Sequence, residues 1–140
     1  MATIVANGCF DLLHDGHRRF LRAARKAGGS DDVNHLIVAI NSDESAIALK
    51  GSKWGEKYPI MKAHERAMAL RDYADQVLIF ENEKQLHDII EFVSPCIIAK
   101  GPDYAGRETD VTGSDIAPVL ILDTPETEEI RELKRKTYML

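Results

Sequence analysis

The sequence is poor in the features that would mark a nucleic-acid binder, a membrane protein or a disulfide-stapled secreted domain. Eighteen Lys and Arg are outnumbered by 23 Asp and Glu, for a formal net charge of −5. A nucleic-acid surface needs clustered cations to neutralise backbone phosphates, so that partner class is set aside. No apolar run approaches the roughly 20 residues that cross a bilayer. Met1-Ala2-Thr3 passes into an apolar segment without a charged-then-apolar leader, and a cytoplasmic protein with no membrane contact is expected. Two cysteines, Cys9 and Cys96, are too few for a disulfide framework; each adjoins a predicted strand and is expected to be a small buried thiol. The single tryptophan, Trp54, is placed either to pack beneath a loop or to stack on a ligand. The 140 residues make one domain, 1–140, large enough to bury about two-thirds of its unfolded surface.

What the chain does have is alternation. Apolar runs at 3–6, 36–40, 77–80, 96–99 and 119–122 are too short for helices and read as strands. Between them apolar residues recur at helical spacing: Phe20, Leu21 and Ala24 within 18–27, Ala63, Ala67 and Leu70 within 62–73, and Leu86, Ile89, Ile90 and Val93 within 83–93. Ser42 reads as the N-cap of a short helix ending near Lys50, and Thr124-Pro125 opens a last helix over 124–137. The polar, glycine-punctuated stretch 51–61 has the character of a mobile lid. The alternation predicts an α/β fold, a doubly wound, Rossmann-like sheet of five parallel strands covered on both faces. Ligands of such sheets bind beyond the carboxyl ends of the strands, near the reversal of strand order. Asn7 to Asp11, Asn41 to Asp43, Lys100 to Tyr104 and Asp123 to Thr127 all follow predicted strands, so the polar clusters meet at one edge.

The most informative of these clusters is Asn7-Gly8-Cys9-Phe10-Asp11-Leu12-Leu13-His14-Asp15-Gly16-His17, a strand-to-helix turn. Such a turn offers unpaired backbone N–H groups and the positive end of a helix dipole, which suit a phosphate. Gly8 and Gly16 allow close approach of the backbone. His14 and His17, three apart, can face the same way. Alone, this pair of histidines reads equally as two surface residues or as half a zinc site with Asp11 or Asp15; the preceding strand and the Gly-x-Phe-Asp turn favour catalysis.

The string Gly8-x-Phe10-Asp11-x-x-His14-x-Gly16-His17 resembles the H-x-G-H signature of the nucleotidyltransferase superfamily that includes cytidylyltransferases, pantetheine-phosphate adenylyltransferase and class I aminoacyl-tRNA synthetases. With Asn41-Ser42-Asp43, Leu49-Lys50-Gly51, Glu65-Arg66-Ala67 and Lys100-Gly101-x-Asp103-Tyr104, the chain is most similar to the adenylyltransferase domain of bacterial ADP-heptose synthesis, and next to glycerol-3-phosphate cytidylyltransferase. The resemblance implies transfer of a nucleoside monophosphate from ATP or CTP to a phosphorylated sugar or polyol, with pyrophosphate leaving. It implies His14, His17 and Lys50 as catalytic residues, the imidazoles neutral or protonated. Asn7, Gly8, Cys9, Phe10, Gly16, Lys100, Gly101, Asp103, Thr124 and Thr127 would bind the nucleotide, and Asp11, Asp43 and Arg66 the acceptor. Mg²⁺ would arrive with the nucleotide, without a metal site of the protein's own, and the protein would be a homodimer. The bland alternatives are a solvated helix-end role for Lys50 and a surface pair or subunit contact for Arg66. A non-catalytic module that binds nucleotide or sugar phosphate is the rival from another class.

The likeness covers roughly residues 3 to 104. Relatives carry a second phosphate-binding run such as I-S-T-T before the last helix, where this chain reads Leu122-Asp123-Thr124-Pro125-Glu126-Thr127-Glu128-Glu129-Ile130. Thr124 and Thr127 still offer hydroxyls, but three glutamates would repel a triphosphate. Either cations elsewhere, such as Lys50, Lys53, Arg107 or Lys134, hold the γ-phosphate, or part of the activity is lost.

Overall fold

The computed structural model describes residues 2–28 and 34–139. Five strands, β1 (Thr3–Gly8), β2 (His35–Asn41), β3 (Gln76–Phe80), β4 (Ile97–Lys100) and β5 (Val119–Ile121), alternate with five α-helices, α1 (Asp15–Lys26), α2 (Asp43–Trp54), α3 (Ala63–Ala69), α4 (Glu83–Val93) and α5 (Glu128–Met139). All strand pairs are parallel and the order across the sheet is β3-β2-β1-β4-β5. The chain lays β2 and β3 on one side of β1, then returns to add β4 and β5 on the other. Strand order therefore reverses between β1 and β4, and a crevice opens there beyond their carboxyl ends.

The period-two geometry of a strand sends alternate side chains to opposite faces, so a strand covered on both sides must be apolar throughout. Ile4 and Ala6 of β1 join Leu36, Val38 and Ile40 of β2 beneath Phe20, Leu21 and Ala24 of α1. Val5, Ile37 and Ala39 join Ile98 of β4 against Leu86 and Ile90 of α4 on the other face. A third, smaller cluster sets Cys9, Ala46, Tyr58 and Tyr138 against Trp54, so that α2 and α5 close over the turn that follows β1.

That turn is strained. Phe10 and Leu12 take φ of 52° and 51°, the left-handed region that bulky L-residues avoid, at a cost of order 1–3 kcal/mol each. Asp11, between them, holds the strain in place. Its carboxylate accepts hydrogen bonds from the Ile60 and Met61 amides at 2.8 and 2.9 Å and from the Tyr138 hydroxyl at 2.7 Å. Arg66, fully buried on α3, works beside it: Nε donates to the Met61 carbonyl, Nη1 to the Cys9 carbonyl and Nη2 to Asp43 Oδ1, at 3.0, 2.8 and 2.9 Å.

Three boundaries differ from the sequence reading. The helix expected to stop near Lys50 runs on to Trp54. Gly51 is tolerated inside it, and Gly55, at φ 89°, is the glycine that ends it. Trp54, 5.2 Å from the Tyr138 ring, packs the added turn against α5. Of the expected lid 51–61, residues 51–54 are thus helical, Tyr58 is buried and 60–61 are fastened to Asp11. The helix placed at 124–137 occupies Glu128–Met139, because the hydroxyl of Thr127, three residues past Thr124, takes the Ile130 amide. The helix placed at 62–73 ends at Ala69. Cys9 is buried as expected; Cys96 is exposed, and both thiols are free.

Arg66→Met is expected to lower unfolding stability by about 3–5 kcal/mol, because two carbonyls and the Asp43 carboxylate lose their partner at once. Urea denaturation of the variant beside the wild type measures this; a loss under about 1 kcal/mol would mean that the guanidinium is not what joins α3 to the turn.

Candidate active site

The crevice at the strand-order reversal is a cleft of about 560 Å³, within the range usual for small-molecule sites. Its floor is the turn after β1. His14 is the N-cap of α1, and its ring lies over the first turn of that helix: Nδ1 accepts from the Gly16 amide at 3.1 Å and from the His17 amide at 3.4 Å. A Cβ on residue 16 would stand 2.9 Å from His14 Cε1, so only glycine leaves room for the ring there. The favour is returned by His17, whose Nδ1 accepts from the His14 amide at 3.3 Å, completing a capping box built of two histidines.

This geometry fixes the proton positions. A ring nitrogen that accepts from an amide carries a lone pair, so on both rings the hydrogen lies on Nε2. The rings stack at 3.8 Å with their planes 16° apart, an arrangement hostile to two positive charges. Burial, then the cations of Lys134 and Arg18, lowers the His14 pKa despite the opposing carboxylates of Glu126 and Asp15. Burial, His14 and the cations of Lys134 and Lys50 push His17 down to about 2. Both imidazoles are neutral donors, and protonating either Nδ1 would break the helix cap. His14 Nε2 is buried and has no partner; among the described residues only Asn7 Nδ2 shares that condition. Buried donors without acceptors are rare in folded proteins, and here both belong to residues lining one cleft.

The remaining walls come from other strand ends. Lys50 enters from α2, and Lys100, Gly101, Asp103 and Tyr104 from the turn after β4. Thr124 and Glu126 come from the segment before α5, where the Glu126 carboxylate is bonded to Lys134. Burial disfavours the Glu126 charge, but the bond to Lys134 and its positive charge outweigh that and hold the carboxyl below its ordinary pKa.

Residues 5–131 match the profile of the Cytidylyltransferase-like family. The chain belongs to the cytidylyltransferase-like family and is a nucleotidyltransferase. Relatives include the bifunctional protein HldE of a Nitratiruptor species, 43% identical over 116 residues, 81% of this chain and 22% of that protein. HldE of Aliarcobacter butzleri is 41% identical over 121 residues, 85% of this chain and 23% of the relative. HldE of Pelobacter propionicus is 38% identical over 143 residues, 96% of this chain and 27% of the relative. The chain thus spans about a quarter of the length of these curated relatives.

Of the residues singled out in the sequence of this cytidylyltransferase-like chain, Asn7, Gly8, Cys9, Phe10, His14, Gly16, His17, Lys50, Lys100, Gly101, Asp103 and Thr124 all line the cleft. Thr127 does not: its hydroxyl is spent on the Ile130 amide. Asp11, Asp43 and Arg66, expected at the acceptor, lie outside the cleft lining, in the scaffold that joins α2, α3 and α5 to the turn. The sequence reading missed the part played by Tyr104, whose ring carries Lys100 Nζ at 4.4 Å and Arg107 Cζ at 5.0 Å, and the pairing of Lys134 with Glu126 across the start of α5. An aromatic three to four residues from two cations was the only local signal for the first; an i, i+8 pair leaves none.

Because both imidazoles titrate below their ordinary pKa in the folded protein, the unfolded chain binds more protons as pH drops below 6.5, and stability falls with it. Each ring held neutral contributes at most about 1.4 kcal/mol per pH unit. His17→Gln keeps a capping-box acceptor but no titration. Between pH 6.5 and 5.5 the wild type is expected to lose more unfolding free energy than this variant; identical pH profiles would show that His17 titrates normally.

Proposed function

We propose that the chain transfers the adenylyl group of ATP to a phosphorylated sugar, D-glycero-D-manno-heptose 1-phosphate being the acceptor most consistent with its HldE relatives. The observation that carries the reading is the unpartnered, buried Nε2–H of His14, stacked with its twin on His17 at the start of α1. An oxygen of the acceptor phosphate bonds to the α-phosphorus while the bond from that phosphorus to the oxygen bridging the β-phosphate breaks, and the electron pair leaves with pyrophosphate. Negative charge grows on the phosphate oxygens, and preorganised neutral donors stabilise it without reorganising water. His14 and His17 supply those donors. Lys50, felt by the His17 ring, supplies positive charge. The pairing of Glu126 with Lys134 cancels much of the repulsion that the acidic segment before α5 would exert on a triphosphate.

Mg²⁺ enters this reading as the triphosphate's own counter-ion. Among the described residues no three His, Cys, Asp or Glu side chains are grouped to hold an ion, so its ligands would be phosphate oxygens and water. A cytoplasmic setting and a homodimer belong to the same proposal. Apolar side chains open to solvent, Phe92 on α4 at 91% and Met68 on α3 at 63%, offer area for a subunit contact. No helix among the described residues is long and apolar enough to cross a membrane.

The test is pyrophosphate release with ATP and with CTP, each against heptose 1-phosphate and glycerol 3-phosphate. Release with ATP and the heptose phosphate is expected; release only with CTP and glycerol 3-phosphate assigns the cytidylyltransferase activity instead. Tight nucleotide binding with no release under any pairing would make the chain a binding module. His17→Ala is expected to lower turnover by roughly 10²–10³ with the fold retained, and an unchanged rate would remove that ring from the reaction.

A further inference from the structure

Lys100 closes β4 and lines the cleft. Its ammonium donates to Asn7 Oδ1 at 3.0 Å and reaches the Asn7 carbonyl at 3.5 Å, with the Tyr104 ring 4.4 Å away. An ammonium has no acceptor, so it must meet the oxygen of the Asn7 amide, and the amide nitrogen is turned away from it. That nitrogen is the buried Nδ2 without a partner. Among the described residues no carboxylate lies within ion-pair distance of Lys100. Glu83 and Asp103 favour its charge from farther off, Lys50 opposes it, and burial is the largest influence, bringing the group down to about 8. Neutral oxygens and a ring face are a poor substitute for a counter-ion around a part-buried cation. The pocket around Lys100 is built for an anion that the protein does not contain.

Position separates this site from the imidazoles. The imidazoles cap the start of α1, whereas Lys100 ends β4 and meets Asn7 and the Tyr104 ring. Lys50 lines the same cleft, and its charge acts on His17 and on Lys100 alike. A reaction that joins two phosphate-bearing substrates needs two anion sites with a shared cation where the new bond forms. Resting on the transferase reading, we propose that Lys100 and Asn7 form the subsite for the phosphate of the second substrate, a phosphomonoester such as a sugar 1-phosphate, distinct from the triphosphate site at His14 and His17. The sequence reading had placed Lys100 at the nucleotide; the proposal assigns its ammonium to the second substrate instead.

Lys100→Met keeps the length of the side chain and removes the charge. Calorimetric titration of the full chain with heptose 1-phosphate at pH 8, in two buffers of different ionisation heat, reads both affinity and proton uptake. The wild type is expected to take up part of a proton as the phosphate restores the charge of Lys100. Lys50, Cys9, Glu83 and Asp103, the titratable groups facing it from α2, the β1 turn, α4 and the β4 turn, remain in both proteins. The variant is expected to bind the phosphomonoester roughly 10- to 100-fold more weakly, with no uptake and with ATP affinity within about threefold of wild type. Its melting temperature should not fall, since a part-buried charge without a counter-ion has been replaced by an apolar chain. Should it fall, Asn7→Asp gives the second reading: a carboxylate beside Lys100 occupies the anion's place, so uptake vanishes and phosphomonoester binding weakens. Equal phosphomonoester binding by wild type and Lys100→Met, or a loss confined to ATP, overturns the subsite. Binding through Lys100 with no pyrophosphate released from ATP or CTP leaves the subsite standing and overturns the transferase reading; pyrophosphate release with phosphomonoester binding indifferent to Lys100 does the reverse.

Discussion

Two backbone amides at the start of α1 point at one nitrogen of one ring, and most of the chemistry follows from that contact. By taking the Gly16 and His17 amides, His14 Nδ1 satisfies donors that a helix start would otherwise leave open. The same contact decides that the proton of His14 sits on Nε2, facing a cleft where no described residue accepts it. His17 repeats the arrangement in reverse through the His14 amide. Capping and the catalysis proposed for these rings thus draw on one set of hydrogen bonds. The imidazoles hold their tautomers without a carboxylate behind them, because the helix itself plays the part that an Asp plays in many catalytic pairs. The arrangement also explains Gly16, the residue whose missing side chain makes space for the His14 ring.

Holding the rings there requires the turn before them to stay in a conformation that Phe10 and Leu12 resist. Asp11 and Arg66 impose it from outside. Asp11 reaches forward about fifty residues to the Ile60 and Met61 amides and 127 residues to Tyr138, while Arg66 reaches back to Cys9. The segment from Gly55 to α3 and the last turn of α5 are therefore part of the site's foundation, though neither contributes a residue to its lining. Phe10 completes the support by packing its ring 5.1 Å from that of His17. Strain concentrated at a functional turn and over-determined by distant contacts is the usual way such a conformation survives.

The sequence made the sheet legible because both faces of β1 and β2 are buried, which leaves continuous apolar runs that few other structures produce. It also showed where the polar clusters would gather, since strand ends in a parallel sheet share one edge. What it hid has a common cause. Asp11, Asp43 and Arg66 looked like ligand groups because charge near a phosphate motif invites that reading, and the sequence carries no record of which charges pair with each other across the fold. The end of α2 was misjudged for a related reason: Gly51 and Gly55 look alike in sequence, and only the packing of Trp54 on Tyr138 decides which of them breaks the helix. The acidic segment in place of the usual hydroxyl-rich run left two readings open, compensating cations or lost activity, and the sequence did not show that Lys134, in the middle of α5, pairs with Glu126.

Comparison of Arg66 with Lys100 shows why pairing, and not burial, marks function here. Arg66 is fully buried, and Nε, Nη1 and Nη2 each meet an oxygen of the protein, one of them a carboxylate. Its charge is complete before any ligand arrives, so its work is architectural. Lys100 is part-buried, and meets only amide oxygens and a ring face. The same contrast separates the paired Asp11 carboxylate from the open Nε2–H of His14. A folded protein loses stability for every buried polar group left unmatched, and a ligand that matches them returns that stability in proportion to its occupancy. Among the described residues the unsatisfied groups are confined to the surroundings of one crevice, at the reversal of strand order. That confinement is what a site completed by anionic substrates requires, and a core merely tolerant of misplaced polar atoms would have scattered them.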